Sequence, residues 1–124
     1  MAGDKQTVAV LGASPKPERT SHQAVLMLLE HGHRVIPVHP AVDTIAGLPA
    51  TPRLSDITEP IDTLTMYVSE SISSKLADDI LRLRPGRVVF NPGAENPALK
   101  MTLIEHGIAS EEACTLVLLN TGQF

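Results

Sequence analysis

Gly12, Ala13 and Ser14 follow directly on the apolar run Thr7-Val8-Ala9-Val10-Leu11, and Lys16 and Arg19 stand a few residues further on. A glycine straight after a strand lets the chain turn sharply. Amides at the start of the next helix can then face a phosphate with the helix dipole behind them. The Ser14 hydroxyl adds a donor, and the two cations would offset an anion's charge. The chemistry on offer is recognition of a phosphate group. The same residues also suit a plain turn with Lys16 and Arg19 in solvent, and residue types alone leave both readings open.

The surroundings of this loop narrow the ligand by what they lack. After Gly12 come Ala13, Ser14, Pro15, Lys16 and Pro17, so the GxGxxG dinucleotide fingerprint is not present. An NAD site also places Asp or Glu at the end of the second strand to bond the ribose hydroxyls. Here that position reads Val38-His39-Pro40. A histidine or neutral residue there suits a ribose that carries a phosphate, as in CoA or NADP.

The elements that must hold the loop are legible as alternating strands and helices. Residues 7–11 read as a buried strand. A helix follows, with Thr20 and Gln23 as a capping box, Ala24, Val25, Leu28 and Leu29 as its apolar stripe, and Gly32 at its end. Residues 34–38 form a second strand, and Pro37 puts it at an edge or at a bulge, because proline donates no ladder hydrogen bond. Residues 40–60 are a connection with one helical turn at 54–57. Residues 63–68 alternate with a strand's two-residue period. Ser69 or Ser71 then caps a helix carrying Ile72, Leu76, Ile80 and Leu83, stopped by Pro85-Gly86. Residues 87–90 are another strand. Asn96-Pro97 opens a helix with Leu99, Leu103 and Ile104 on its stripe, and Gly107 closes it. A short strand near Ile108 and an apolar turn or helix over 116–119 complete residues 1–124. The expected fold is one α/β domain, a doubly wound Rossmann-like parallel sheet of about five strands covered by helices on both faces. In that architecture ligands bind beyond the carboxyl ends of the strands, where the strand order reverses.

The run from Val8 to Arg19 resembles the stand-alone CoA-binding domain proteins, similar in fold to the CoA-binding domain of succinyl-CoA synthetase alpha subunits. So do residues 28–40, Ile45-Ala46-Gly47 and Leu54-Ser55-Asp56-Ile57. The resemblance runs nearly end to end and is looser in the last third, including Asn91-Pro92-Gly93-Ala94-Glu95-Asn96. It implies that Gly12, Ala13 and Ser14 hold the CoA pyrophosphate, with Pro15, Lys16 and Arg19 lining the phosphate side. It further implies that His39 and Pro40 lie near the adenosine, with Val68 and Ser69 beside it and Asn91, Pro92 and Gly93 across the cleft. This sequence departs from the resemblance at His39, where the relatives typically carry Asn. The synthetases also have a second domain with a phosphorylatable histidine and a nucleotide-binding partner subunit, so ligase chemistry is not expected of this polypeptide alone.

Composition bounds the rest. With 43% hydrophobic and 19% charged residues and a net charge of −4 spread along the chain, neither a nucleic acid nor a membrane surface is an expected partner. One cysteine, Cys114, and the absence of a signal-type apolar start point to the cytosol. Cys114 sits among apolar neighbours and reads as a buried, inert thiol rather than a nucleophile. His31, His33 and His106 read as helix-end residues, and His22 as a solvated side chain near the phosphate loop. Tyr67 reads as packing or a single ligand contact. No metal site is expected. Residues 116–119 suit either the core or a homodimer contact, and an unidentified protein partner stays open. The sequence therefore predicts a protein that binds CoA or an acyl-CoA without catalysis of its own. An NADP-dependent or other nucleotide-linked enzyme, or a regulatory interaction module, is the alternative.

Overall fold

The computed structural model describes residues 5–124, and its sheet is organised around strand β1 (Thr7–Leu11). Val8 and Val10 join one apolar cluster while Ala9 and Leu11 join another, so both faces of this strand must be covered. The chain continues through α1 (Thr20–Glu30), β2 (Arg34–Val38), a hairpin of β3 (Thr44–Ile45) and β4 (Leu48–Pro49), and a 3-10 turn at Leu54–Asp56. It then forms β5 (Thr63–Met66), α2 (Glu70–Lys75), α3 (Ala77–Leu83), β6 (Arg87–Phe90), α4 (Pro97–Glu105), β7 (Ala109–Glu112) and α5 (Thr115–Asn120). Val25 and Leu28 of α1, Leu119 of α5 and Ile45 of the hairpin pack on Val8 and Val10. Ile80 of α3, Leu99 and Leu103 of α4 and Leu54 of the 3-10 turn cover the opposite face.

Five parallel strands are arranged in the order β2-β1-β5-β6-β7, which is the doubly wound Rossmann-like sheet expected from the sequence. The chain runs outward from β1 to β2, then returns to add β5 on the other side of β1. The order therefore reverses at β1 and β5. Register places Leu11 opposite both Val38 and Met66, and Met66 opposite Phe90. The four strands thus end on one rung, and the loops starting at Gly12, His39, Tyr67 and Asn91 emerge side by side. β2 lies at the edge, where the lost proline donor costs least: the Pro37 carbonyl faces outward and accepts the Thr51 N–H at 2.9 Å.

Four local expectations need correction. Arg19, not Thr20, occupies the N-cap of α1, and the Gln23 side chain reaches the Glu18 carbonyl, so no capping box forms. β5 is buried along its whole length and stops at Met66, because its threonines find partners: Thr63 donates to Gln6 and Thr65 meets Thr115 at 2.7 Å. The helix after β5 is two helices, joined where Leu76 leaves helical geometry, and Ile72 is exposed. Ser69 does stand at the α2 N-cap, but its hydroxyl bonds Ser71 and caps nothing. Asn96 does cap α4, accepting the Leu99 N–H at 3.1 Å. Among the described residues, no helix is long and apolar enough to cross a membrane.

Candidate functional site

Gly12 turns the chain out of β1 with φ +85°, and a Cβ there would stand 2.8 Å from Val68 Cγ1 and 3.0 Å from the Tyr67 carbonyl oxygen. Both the backbone angle and the space require glycine. Its N–H donates to the Val38 carbonyl at 3.2 Å, which ties the loop to β2. Two residues on, the Ser14 N–H donates to Ser21 Oγ at 3.1 Å, and the Ser14 carbonyl contacts His22 Nδ1 at 2.8 Å. The Lys16 N–H donates to Ser14 Oγ at 3.1 Å.

These bonds alter how the loop can hold an anion. The amides of Gly12, Ser14 and Lys16 are engaged within the protein, and Pro15 and Pro17 have none. Donors left to a ligand include the Ala13 N–H, the Ser14 hydroxyl hydrogen, the first-turn amides of α1 and the side chains of Lys16 and Arg19. An α-helix leaves its first amides without intrahelical acceptors, and no side chain caps α1. Lys16 and Arg19 are exposed at the mouth of the same cleft. The positive end of the α1 dipole adds to their field.

The cleft has a volume of about 590 Å³ and lies over the carboxyl ends of the strands at the reversal point. Gly12, Ala13, Ser14, Pro15, Lys16 and Arg19 form one wall; His39 and Pro40 form a second, and Pro92 reaches in from the β6 loop. Thr20, Ser21 and Tyr67 also line it, although the sequence did not single out the first two. Their signal lay in their positions, in the first turn of the helix behind the loop. His39 Nδ1 accepts the N–H groups of Ala41 at 3.0 Å and Val42 at 3.3 Å. A neutral imidazole held this way carries its hydrogen on Nε2, so the ring is a donor rather than an acceptor towards a ligand.

Four residues named from the sequence lie outside the cleft lining. Val68 rests against Gly12 and supports the turn from behind. Ser69 is occupied with Ser71 at the start of α2. Asn91 is buried; its amide donates to Thr65 Oγ1 at 2.6 Å and to the Met66 carbonyl at 2.9 Å, while its oxygen accepts the Thr115 N–H at 2.8 Å. It joins β5, β6 and α5 from beneath. Gly93 turns with φ +90° and donates its N–H to Glu95.

Other titratable groups play structural parts. His22 is buried rather than solvated, since the Ser14 carbonyl satisfies its ring. His31 and His106 each bond a carbonyl of the last helical turn through Nδ1, as helix-end residues do. Cys114 is half-buried at the N-cap of α5. The Tyr67 hydroxyl is enclosed without a hydrogen-bond partner beside Thr65 and Thr115, which bond each other. Burial pushes its phenol up to about 12. It therefore stays protonated at neutral pH.

Known proteins resemble this chain in sequence and fold. YneT of Bacillus subtilis (strain 168), an uncharacterized protein, is 32% identical over 74 residues, a match spanning 60% of this chain and 55% of that protein. A crystal structure of another uncharacterized protein superposes with a TM-score of 0.93 at 36% identity, covering 98% of this chain and 99% of that one. The apo dinucleotide-forming acetyl-coenzyme A synthetase 1 of Ca. Korarchaeum cryptofilum matches 82% of this chain with 23% of its own length, at a TM-score of 0.66 and 25% identity. Residues 6–120 match the family described as CoA binding domain, a match that takes in β1, the loop after it and every strand of the sheet. The chain belongs to the CoA binding domain family.

Proposed function

We propose that this protein binds CoA or an acyl-CoA in the cleft beside Gly12, with its phosphates against the uncapped start of α1, and performs no catalysis of its own. Family membership supports the CoA-binding role. The observation that carries the placement is that the Ser14 hydroxyl, the α1 amides, Lys16 and Arg19 all line one cleft at the strand-order reversal. Side chains and helix amides grip the pyrophosphate, and His39 donates from Nε2 to an oxygen of the ribose or its phosphate. Because these contacts lie at the nucleotide end, CoA and its thioesters compete for one site. A cytosolic setting belongs to the same proposal, since a lone cysteine suits a compartment that keeps thiols reduced.

Calorimetric titration of ligand-free protein with CoA tests it. The expected result is saturable binding of one CoA per chain. No heat of binding with CoA overturns the proposal. NADP shares a phosphorylated adenosine, so binding of NADP and not CoA would replace it with the nucleotide-linked reading.

A further inference from the structure

Both backbone polar groups of Ser14 are held by side chains from consecutive residues of the first turn of α1. Ser21 Oγ accepts the Ser14 N–H at 3.1 Å, and His22 Nδ1 meets the Ser14 carbonyl at 2.8 Å. Ser21 and His22 are 6% and 7% exposed, so each is a buried polar side chain whose partner is the loop itself. A carbonyl can only accept, so His22 Nδ1 carries the hydrogen, and the neutral ring is the Nδ1–H tautomer. Pro15 and Pro17 deprive the loop of two amides; Arg19 N–H bonds the Lys16 carbonyl inside it, and Gln23 N–H bonds the Arg19 carbonyl where α1 begins, so neither backbone bond reaches Ser14.

We infer that Ser21 and His22 are positioning residues for the ligand's phosphate, acting through Ser14. They fix the Ser14 backbone before any ligand arrives. The Ser14 hydroxyl oxygen is then taken by the Lys16 N–H, so its own hydrogen is the group left to donate to the anion. A loop ordered in advance loses less conformational freedom on binding. The assignment rests on the reading that this cleft holds the CoA phosphates.

The geometry separates conservative variants. An asparagine at position 22 puts an N–H near the place of Nδ1, whereas a glutamine puts one near the place of Nε2. CoA titrations are expected to show His22→Asn within about twofold of wild type, and His22→Gln and Ser21→Ala about tenfold weaker, the loss of one buried hydrogen bond. Nitrogen NMR of the wild-type, ligand-free protein is expected to show His22 as the Nδ1–H tautomer, a readout that needs neither variant nor CoA. The Nε2–H tautomer overturns the assignment. So does wild-type-like affinity in His22→Gln, or equal loss in His22→Asn and His22→Gln. A wild-type protein that binds no CoA overturns the ligand reading on which the assignment rests, whereas wild-type binding with an unaffected His22→Gln overturns the positioning role alone.

Discussion

Gly12 lies so close to Val68 that a Cβ on the glycine would stand 2.8 Å from the valine Cγ1. The turn that opens the cleft is thus set by the close approach of Gly12 to the Val68 side chain and the Tyr67 carbonyl, just past the ends of β1 and β5. Replacing Gly12 with alanine is expected to cost about 1–3 kcal/mol from the positive φ alone, with the clash added to it. Gly93→Ala has a similar φ of +90° but meets no atom within 4 Å, so it carries strain without the clash. Urea unfolding should place the Gly12→Ala midpoint below that of Gly93→Ala. Equal midpoints would mean that the Val68 contact yields freely.

Lys16 and Arg19 are exposed, so reversing their charge tests binding without disturbing the core. Lys16→Glu and Arg19→Glu are each expected to weaken CoA by about tenfold or more, as loss of a charge-assisted contact does. Their melting temperatures should stay within about 3 °C of wild type. Wild-type affinity should itself fall as salt rises, because these charges are open to solvent. Titrations in low and high salt measure both effects, and an unchanged affinity in both variants would remove these side chains from the phosphate site.

Asn91 is expected to matter for stability, since its side chain is fully used inside the protein. Asn91→Ala leaves the Thr115 N–H without its acceptor and the Met66 carbonyl with only the longer bond from the residue-91 backbone N–H at 3.4 Å, at a cost of about 2–4 kcal/mol. Chemical denaturation measures the loss. A stable Asn91→Ala protein with impaired CoA affinity would contradict this and return the residue to the cleft.

His33 links stability to pH at the opposite end of the sheet. Its ring packs on Phe124 with centroids 5.4 Å apart, and its Nδ1 accepts the Gln6 N–H at 3.0 Å. Burial, then the positive fields of His31 and Arg87, hold the imidazole below the ordinary 6.5. Between the folded value and 6.5 the unfolded chain binds the extra proton, so stability is present above that window and is lost as pH falls through it. Melting temperatures measured from about pH 7.5 down to about pH 5 should fall more steeply in wild type than in His33→Asn. Parallel curves would show that His33 does not carry the dependence.

Much of this was legible because local chemistry and tertiary structure agree. The apolar run ended by Gly12 fixes β1 and its turn, Pro37 marks β2 as an edge or a bulged strand, of which the structure has the edge, and Asn96-Pro97 opens α4 with a cap that forms. Other features depend on contacts that no spacing encodes. The β3–β4 hairpin hides in a connection because each strand has two residues, joined by Ala46 and Gly47, both at positive φ. The capping box fails because the turn after Pro17 brings Arg19 to the N-cap one residue early. In the cleft, the turn at Gly12 with two cations beside it was readable, whereas the engagement of the Gly12 and Ser14 amides was not. Their partners are a carbonyl on β2 and a hydroxyl seven residues on, in the first turn of α1. Asn91 looked like a ligand contact by position, and only the packing of α5 onto the β5 and β6 ends shows where its amide goes.

The proposed site puts the CoA phosphates at the Gly12 loop and the start of α1. Amide chemical-shift mapping during a CoA titration tests it most directly. Shifts are expected at Ala13, Ser14, Thr20, Ser21 and Val42, the last through the His39 ring it bonds, with little change along β7 at the far edge. Saturating CoA that moves no amide around Gly12, or moves only residues away from that cleft, would contradict it.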